Sequence, residues 1–342
     1  MRQRVRRGGV VALLLFGTAV LMAPGSLPPG PTGIDVASRV IRSFDRNSAA
    51  TRFGGLEYVG GFSYSSRSSD LKGVSAIRML DQDRFLAVED TGWWFAGTIT
   101  RDGDGRPTGI RDARLSPILN PGGQASPRKG DADAEGLAID ANGDAVVAFE
   151  RNHRIAAFAD ARSPFLSRPR FLPLPIPRKE LRINAGIEAL ARSPANSPLG
   201  GRLVAVAERS IDMAGNFFAA ILGDGGGVFT IRRDEAWSAT DGAFLPDGDF
   251  LLLERRYQGF THVGMRIRRI PGGEIRPGAL VDGPVLIQAD LAEEIDNMEG
   301  LDVYKATDGS TRVVLVSDDN GSFLQRNLFL EFRLAEGAAE SN

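Results

Sequence analysis

The chain has 342 residues, with 41 basic and 43 acidic side chains and a formal net charge of −2. A balance this even excludes a nucleic-acid binder that works by gross electrostatics. There is no cysteine, which excludes disulfides, thiolate metal sites and thiol catalysis and leaves packing alone to hold the fold.

At the N-terminus Arg2, Arg4, Arg6 and Arg7 precede an apolar stretch from Val10 to Ala23, followed by Pro24-Gly25-Ser26. This is the layout of a bacterial export signal. It is assigned to residues 1–23 and predicts a periplasmic or secreted protein, carried by the Sec or the twin-arginine route. The run is short for a membrane span, so no stable span is expected unless the signal stays uncleaved. Residues 24–50, with clustered Pro and Gly and then polar residues, read as a linker. The folded domain is expected over 51–335, with 336–342 as a C-terminal tail.

Phe53–Tyr64 reads as a strand with no partner of its own. From about Gly73 a pattern then returns: an acidic or hydroxyl residue, a small residue and an apolar run. Its copies begin at Ser75, Glu135, Glu188, Asp241 and Glu299, at spacings of 60, 53, 53 and 58 residues. A second apolar run follows each and ends in an acid: Asp90, Glu150, Glu208, Glu254 and Asp318. Repetition at this period marks an array of small antiparallel sheets. The predicted fold is all-β, a β-propeller with five blades, the N-terminal strand closing the ring as the outer strand of the last blade. Six blades is the alternative, with Asp102–Gly130 and the Pro-rich Asp160–Ala185 as the places for a degenerate one. A short helical turn is expected over Ala289–Met298.

If the two runs of a copy form a hairpin, the start of the first lies beside the end of the second. The acids then gather at one mouth of the channel and need protons or cations to compensate them. The candidate cation ligands are Asp90, Asp133, Glu135, Glu150, Glu188, Glu208, Asp241, Glu254, Glu299 and Asp318, with calcium the ion that an oxygen-only set suits. Asp131-Ala-Asp133-Ala-Glu135-Gly136 begins like an EF-hand loop, but its twelfth position is Asn142 instead of Glu, which argues against that motif. Arginine follows three of the second-run acids, and Arg151, Arg209 and Arg255 are candidates for holding an anionic group. Glu135, Glu299 and His153 are the candidates for proton transfer. Trp93-Trp94 is read either as a wall of the site or as blade packing. No nucleophile elbow, zinc-protease helix or phosphate-binding glycine loop is present.

With these motifs set out, the chain resembles the phytase-like family described by an esterase-like activity of phytase. The residues that carry the resemblance are Gly54–Leu56, Gly73–Ile77 leading to Phe85–Asp90, Asp133–Ala138, Phe149–Ile155, Glu299–Asp302 and Ser317–Asn320. The resemblance implies an exported propeller akin to calcium-dependent propeller phytases. The scarcity of lysine departs from the phosphate surface of a true propeller phytase and puts phytate itself in doubt. Two functions stay open: an exported calcium-dependent hydrolase of small anionic phosphate or carboxylic esters, and a non-catalytic, calcium-stabilised propeller that binds a ligand or partner in the cell envelope. A lactonase-like propeller would share the metal logic of the first.

Overall fold

The computed structural model describes residues 30–126, 129–259 and 263–335. The expected export signal, the tail at 336–342 and His262 lie outside these residues.

Five sheets follow one another along the chain, antiparallel throughout except where Leu280–Val281 adds in parallel to the edge of the third. The inner strands are Val74–Met79, Ala134–Ile139, Ile187–Arg192, Ser238–Phe244 and Asn297–Lys305. Each pairs with the next strand of its own blade: Arg84–Glu89, Ala145–Phe149, Leu203–Ile211, Phe250–Tyr257 and Thr311–Asp318. These second strands are apolar along nearly their whole length because a neighbouring blade covers each face; Ala145–Phe149 is buried at every position. The core is accordingly divided among the blade junctions. Trp94 of the first blade meets Phe158 of the second edge-on at 5.3 Å, so it serves blade packing. Phe62 and Phe329 of the last blade lie in one cluster with Phe85 and Phe95 of the first.

The ring closes as the unpartnered N-terminal strand suggests. Leu56–Ser66 pairs with Asn327–Leu334, and the Phe62 and Phe329 rings stack across that pair at 5.1 Å. Two expectations are corrected. The stretch read as a linker holds the strand Val36–Ile41, which adds outside Leu56–Ser66, and Thr32–Gly33, which adds to the first blade. Ala289–Met298 is not helical: the strand Val285–Asp290 runs into it and Asn297 opens the next inner strand. The two segments that might have hidden a sixth blade supply outer strands, Pro107–Pro117 and Arg170–Leu172, to the first and second blades.

Because the last blade is assembled from both ends of the chain, a variant starting after residue 66 is expected to leave Phe329 and Phe332 uncovered and a long sheet edge open, and to aggregate. A soluble product melting in one cooperative step would show that closure is dispensable.

Candidate functional site

Every inner strand carries a β-bulge at the same place. The register skips Ser75, Glu135, Glu188, Thr240 and Glu299 in turn. A bulge re-aims its extra residue, and here it turns each of these side chains into the mouth. The residue after the bulge is small because the inner strands nearly touch: a Cβ on Gly136 would lie 2.6 Å from the Glu188 carbonyl oxygen, and one on Gly300 3.3 Å from Ala76 Cα. Along each second run, one residue past the partner of the residue before the bulge, stand Asp90, Glu150, Glu208 and Asp318, and in the fourth blade Arg255. All ten of these residues line one cavity of about 240 Å³, together with Asn184, Arg209 and Asn320.

The fourth blade departs from the expected pattern by one residue. Its bulged residue is Thr240, and Asp241 stands where the other blades have Ala or Gly. Its second run is Phe250 to Glu254, the same five residues as AVVAF or LVAVA, so that Arg255 falls where Glu150 and Glu208 fall. A shift of one residue along a strand turns a side chain to the opposite face. Asp241 and Glu254, both read as cation ligands, are therefore not at the mouth. Glu254 is fully buried and bound by Arg266 Nε and Arg268 Nε, each at 2.7 Å. Asp241 is fully buried in the channel, where Arg78 grips both its oxygens at 2.9 Å.

Arg78 is a residue that motif reading missed. From the first blade it also donates to the Leu190 and Leu301 carbonyls at 2.8 Å and to the Gly242 carbonyl at 3.2 Å. It thereby joins four blades and closes the channel beneath the mouth, giving the acidic cavity a floor.

Within the mouth the remaining acids crowd one another. Oxygens of Asp133, Glu135 and Glu150 lie within 4.8 Å of one another, as do those of Glu150, Glu188 and Glu208. Ligand oxygens around calcium, at about 2.3–2.6 Å from the ion, have this separation, so the oxygen-only set of the second and third blades fits a hard divalent cation. Burial first, and then Asp133, Asp90 and Glu150, hold the Glu135 carboxyl well above its usual range; burial, Glu135 and Glu208 do the same for Glu188. Glu150 is pushed up to about 6, mainly by burial, against the Gly186 N–H that donates to it at 3.0 Å. Burial raises Glu299 and Asp318 each to about 7, Arg255 opposing the rise at Glu299 and Glu299 adding to it at Asp318.

The arginines sit unequally. Arg255 bonds Glu299 and Asn297 and lies 3.8 Å from Glu208. Arg209 Nε is 3.4 Å from Glu208, and Arg151 folds back from a left-handed turn (φ 56°) to donate to Asp133 at 2.5 Å. Arg255 and Arg209 line the cavity; Arg151 does not, and is paired with Asp133. His153 does not line it. The imidazole is buried against Gly186 behind Glu150, and burial lowers its pKa, so it is neutral at physiological pH. Asn184 and Asn320, which do line it, lie in loops that carry no repeat signal.

A comparison with curated proteins returned no match. Similar solved structures include an endo-arabinase from Bacteroides thetaiotaomicron, 13% identical over 79% of this chain and 97% of that one, with a TM-score of 0.49. A virginiamycin B lyase from Staphylococcus aureus is 11% identical over 88% of this chain and 100% of that one, with a TM-score of 0.41. The PQQ-bound aldose sugar dehydrogenase from Streptomyces coelicolor is 13% identical over 88% and 98%, with a TM-score of 0.40. Likenesses this distant say nothing of the chemistry at the mouth. A family model does reach the residues that build the mouth, matching 69–321, well over half of the chain, and by that match the chain belongs to the phytase-like family described as having the esterase-like activity of phytase.

Proposed function

We infer that the chain is an exported, calcium-dependent hydrolase of a phosphate or carboxylic ester. The observation that supports this reading most is the polarity of the mouth. On its second- and third-blade side the oxygens of Glu150, Glu188 and Glu208 lie within 4.8 Å of one another, with Arg209 at the same wall, while the equivalent fourth-blade position holds Arg255. Arg255 bonds Glu299 and lies 3.8 Å from Glu208, so the mouth offers carboxylate oxygens for an ion and a guanidinium for an anion side by side. Glu150, Glu188 and Glu208, or Asp133, Glu135 and Glu150, would hold the calcium, which would supply a Lewis acid for the ester oxygen. Arg255, with Arg209 beside it, presents planar donors to the anionic group of the substrate. Glu299, in contact with Arg255 and titrating at about 7, stands in the range where a carboxyl takes and returns a proton at neutral pH. It would accept the proton of the attacking water as the new bond to phosphorus or carbonyl carbon forms, and return it to the departing alkoxide. The buried His153 is not needed for this step.

Export rests on the arginine-rich start and apolar run of residues 1–23, and the mature N-terminus of the periplasmic or secreted protein would establish it.

The reaction is tested with metal-stripped mature protein on phosphate, acetate and lactone esters, with and without calcium. Turnover is expected only with calcium, and Glu135→Gln is expected to reduce it by about a hundredfold or more while the protein stays folded. A folded, calcium-binding protein that turns over no member of the panel would overturn the hydrolase and leave the alternative, a binding propeller held together by its ion.

A further inference from the structure

Beside the mouth, between the fourth and fifth blades, lies a larger cavity of about 730 Å³. Arg255 and Asn320 line both cavities, so the two adjoin across a shared wall. Its character is different. Tyr257, Val263, Leu291 and Leu324 line it, and Tyr257, Leu291 and Leu324 are 56%, 37% and 65% exposed. The charges at its rim cancel locally: Glu294 is 2.6 Å from Arg326 and 3.4 Å from Arg46, and Asp296 is 3.7 Å from Arg326. No surplus of cations is left there to hold a second anionic group.

We propose that this cavity takes an apolar body joined to the ester, which makes the substrate an amphipathic monoanionic or monoester compound with one polar head for the mouth and a hydrophobic alkyl or aryl group lying against Tyr257 and Leu324. The inference rests on the hydrolase reading for the head group, and it excludes a compact polyanion, which would gain nothing from this wall. The size lies within the range of about 300–1,000 Å³ typical of small-molecule sites, which are mostly apolar with a few placed polar groups. Exposed large apolar side chains congregate here, with Tyr257, Leu291 and Leu324 all lining this one cavity. Isolated exposed apolar residues need no explanation, but a group of them facing one cavity does.

The test uses non-hydrolysable heads, so that it does not depend on turnover. Calorimetric affinities of the calcium-loaded full chain are compared for methylphosphonate, phenylphosphonate and naphthylmethylphosphonate. Affinity is expected to rise by about 10- to 100-fold along the series, from the apolar area that the ring removes from water. Tyr257→Ser combined with Leu324→Ser is expected to abolish that rise and leave methylphosphonate unchanged. Both positions are exposed, so the variant's folding is not at stake. Equal affinities along the series, no binding of any member, or a rise that survives in the double variant would each overturn the proposal. Flat binding beside intact turnover would remove this inference alone, whereas a graded series without turnover on any ester would remove the hydrolase and keep the amphipathic site.

Discussion

Replacing Arg78 by Met is expected to lower the melting temperature by about 10 °C, the largest effect of any single substitution outside the blade junctions. The guanidinium is nearly fully buried and bonds groups on the third, fourth and fifth blades from its own place on the first. Its removal leaves Asp241 buried with no cation, held only by the Leu301 and Gly242 N–H groups at 2.9 and 2.7 Å, and strips the Leu190 carbonyl of a donor. Breaking a buried pair from one side costs about 3–5 kcal/mol. At about 2–4 °C per kcal/mol for a domain of this size, that is the predicted shift. Arg78→Lys should recover little, since an ammonium cannot bridge both Asp241 oxygens and the surrounding carbonyls at once. Arg78→Met with Asp241→Leu should recover much more, because neither charge then remains buried alone. Calorimetry of the three variants decides the matter; an Arg78→Met protein melting within about 2 °C of the parent would mean that the channel floor is not held by this residue.

Much of this architecture was legible because a propeller repeats it. The apolar runs are long enough to be buried on both faces, and their period gives the blade count; the Phe53–Tyr64 run without a partner foretells the closure that Phe62 and Phe329 complete. Most mouth acids were legible for the same reason. The fourth blade departs from the expected positions because its motif puts Asp241 directly after the hydroxyl of Thr240 and Glu254 directly before Arg255, and similarity of residue type to the other blades points to the acid in each pair. The signal that separates them is length: in each blade five residues of the second run precede the mouth position, and in the fourth blade the sixth residue is Arg255. The bulge that makes Ser75, Glu135 and Glu188 face inward has no composition signature of its own. Its trace is the small residue that follows, demanded by the 2.6 Å approach at Gly136. Arg78 and the burial of His153 depend on contacts between blades, which no local pattern encodes.

Without divalent cations, the protein is expected to become less stable as pH rises from about 5 to 8, the reverse of an ordinary acid-labile protein. Glu135 and Glu188 hold their protons well above the usual glutamate range, Glu150 titrates at about 6, and Glu299 and Asp318 at about 7. In the unfolded chain the same groups lose their protons near 4 to 4.5. Between those limits the folded state binds more protons than the unfolded one, so stability is full below the unfolded values and falls as pH climbs through the folded ones. Aspartates whose values are lowered by turn hydrogen bonds, such as Asp45 and Asp212, lose their contribution only in acid, below this window, and do not mask the trend. One carboxyl shifted by two units corresponds to roughly 3 kcal/mol. The mouth groups share one field and do not add, so the expected fall in melting temperature from pH 5 to pH 8 is roughly 10 °C. Calcium at about 1 mM, enough for a weak extracellular-type site, should restore most of it at pH 8 and little at pH 5, where protons already occupy the carboxylates. Glu135→Gln with Glu188→Gln should raise the cation-free melting temperature at pH 8 and remove the calcium response together, because the same charges cause both. A cation-free melting temperature that stays level across this range, or a calcium response that survives the double substitution, would show that the ring of carboxylates is neutralised from within and that Arg255 and Arg209 already do what the ion was invoked to do.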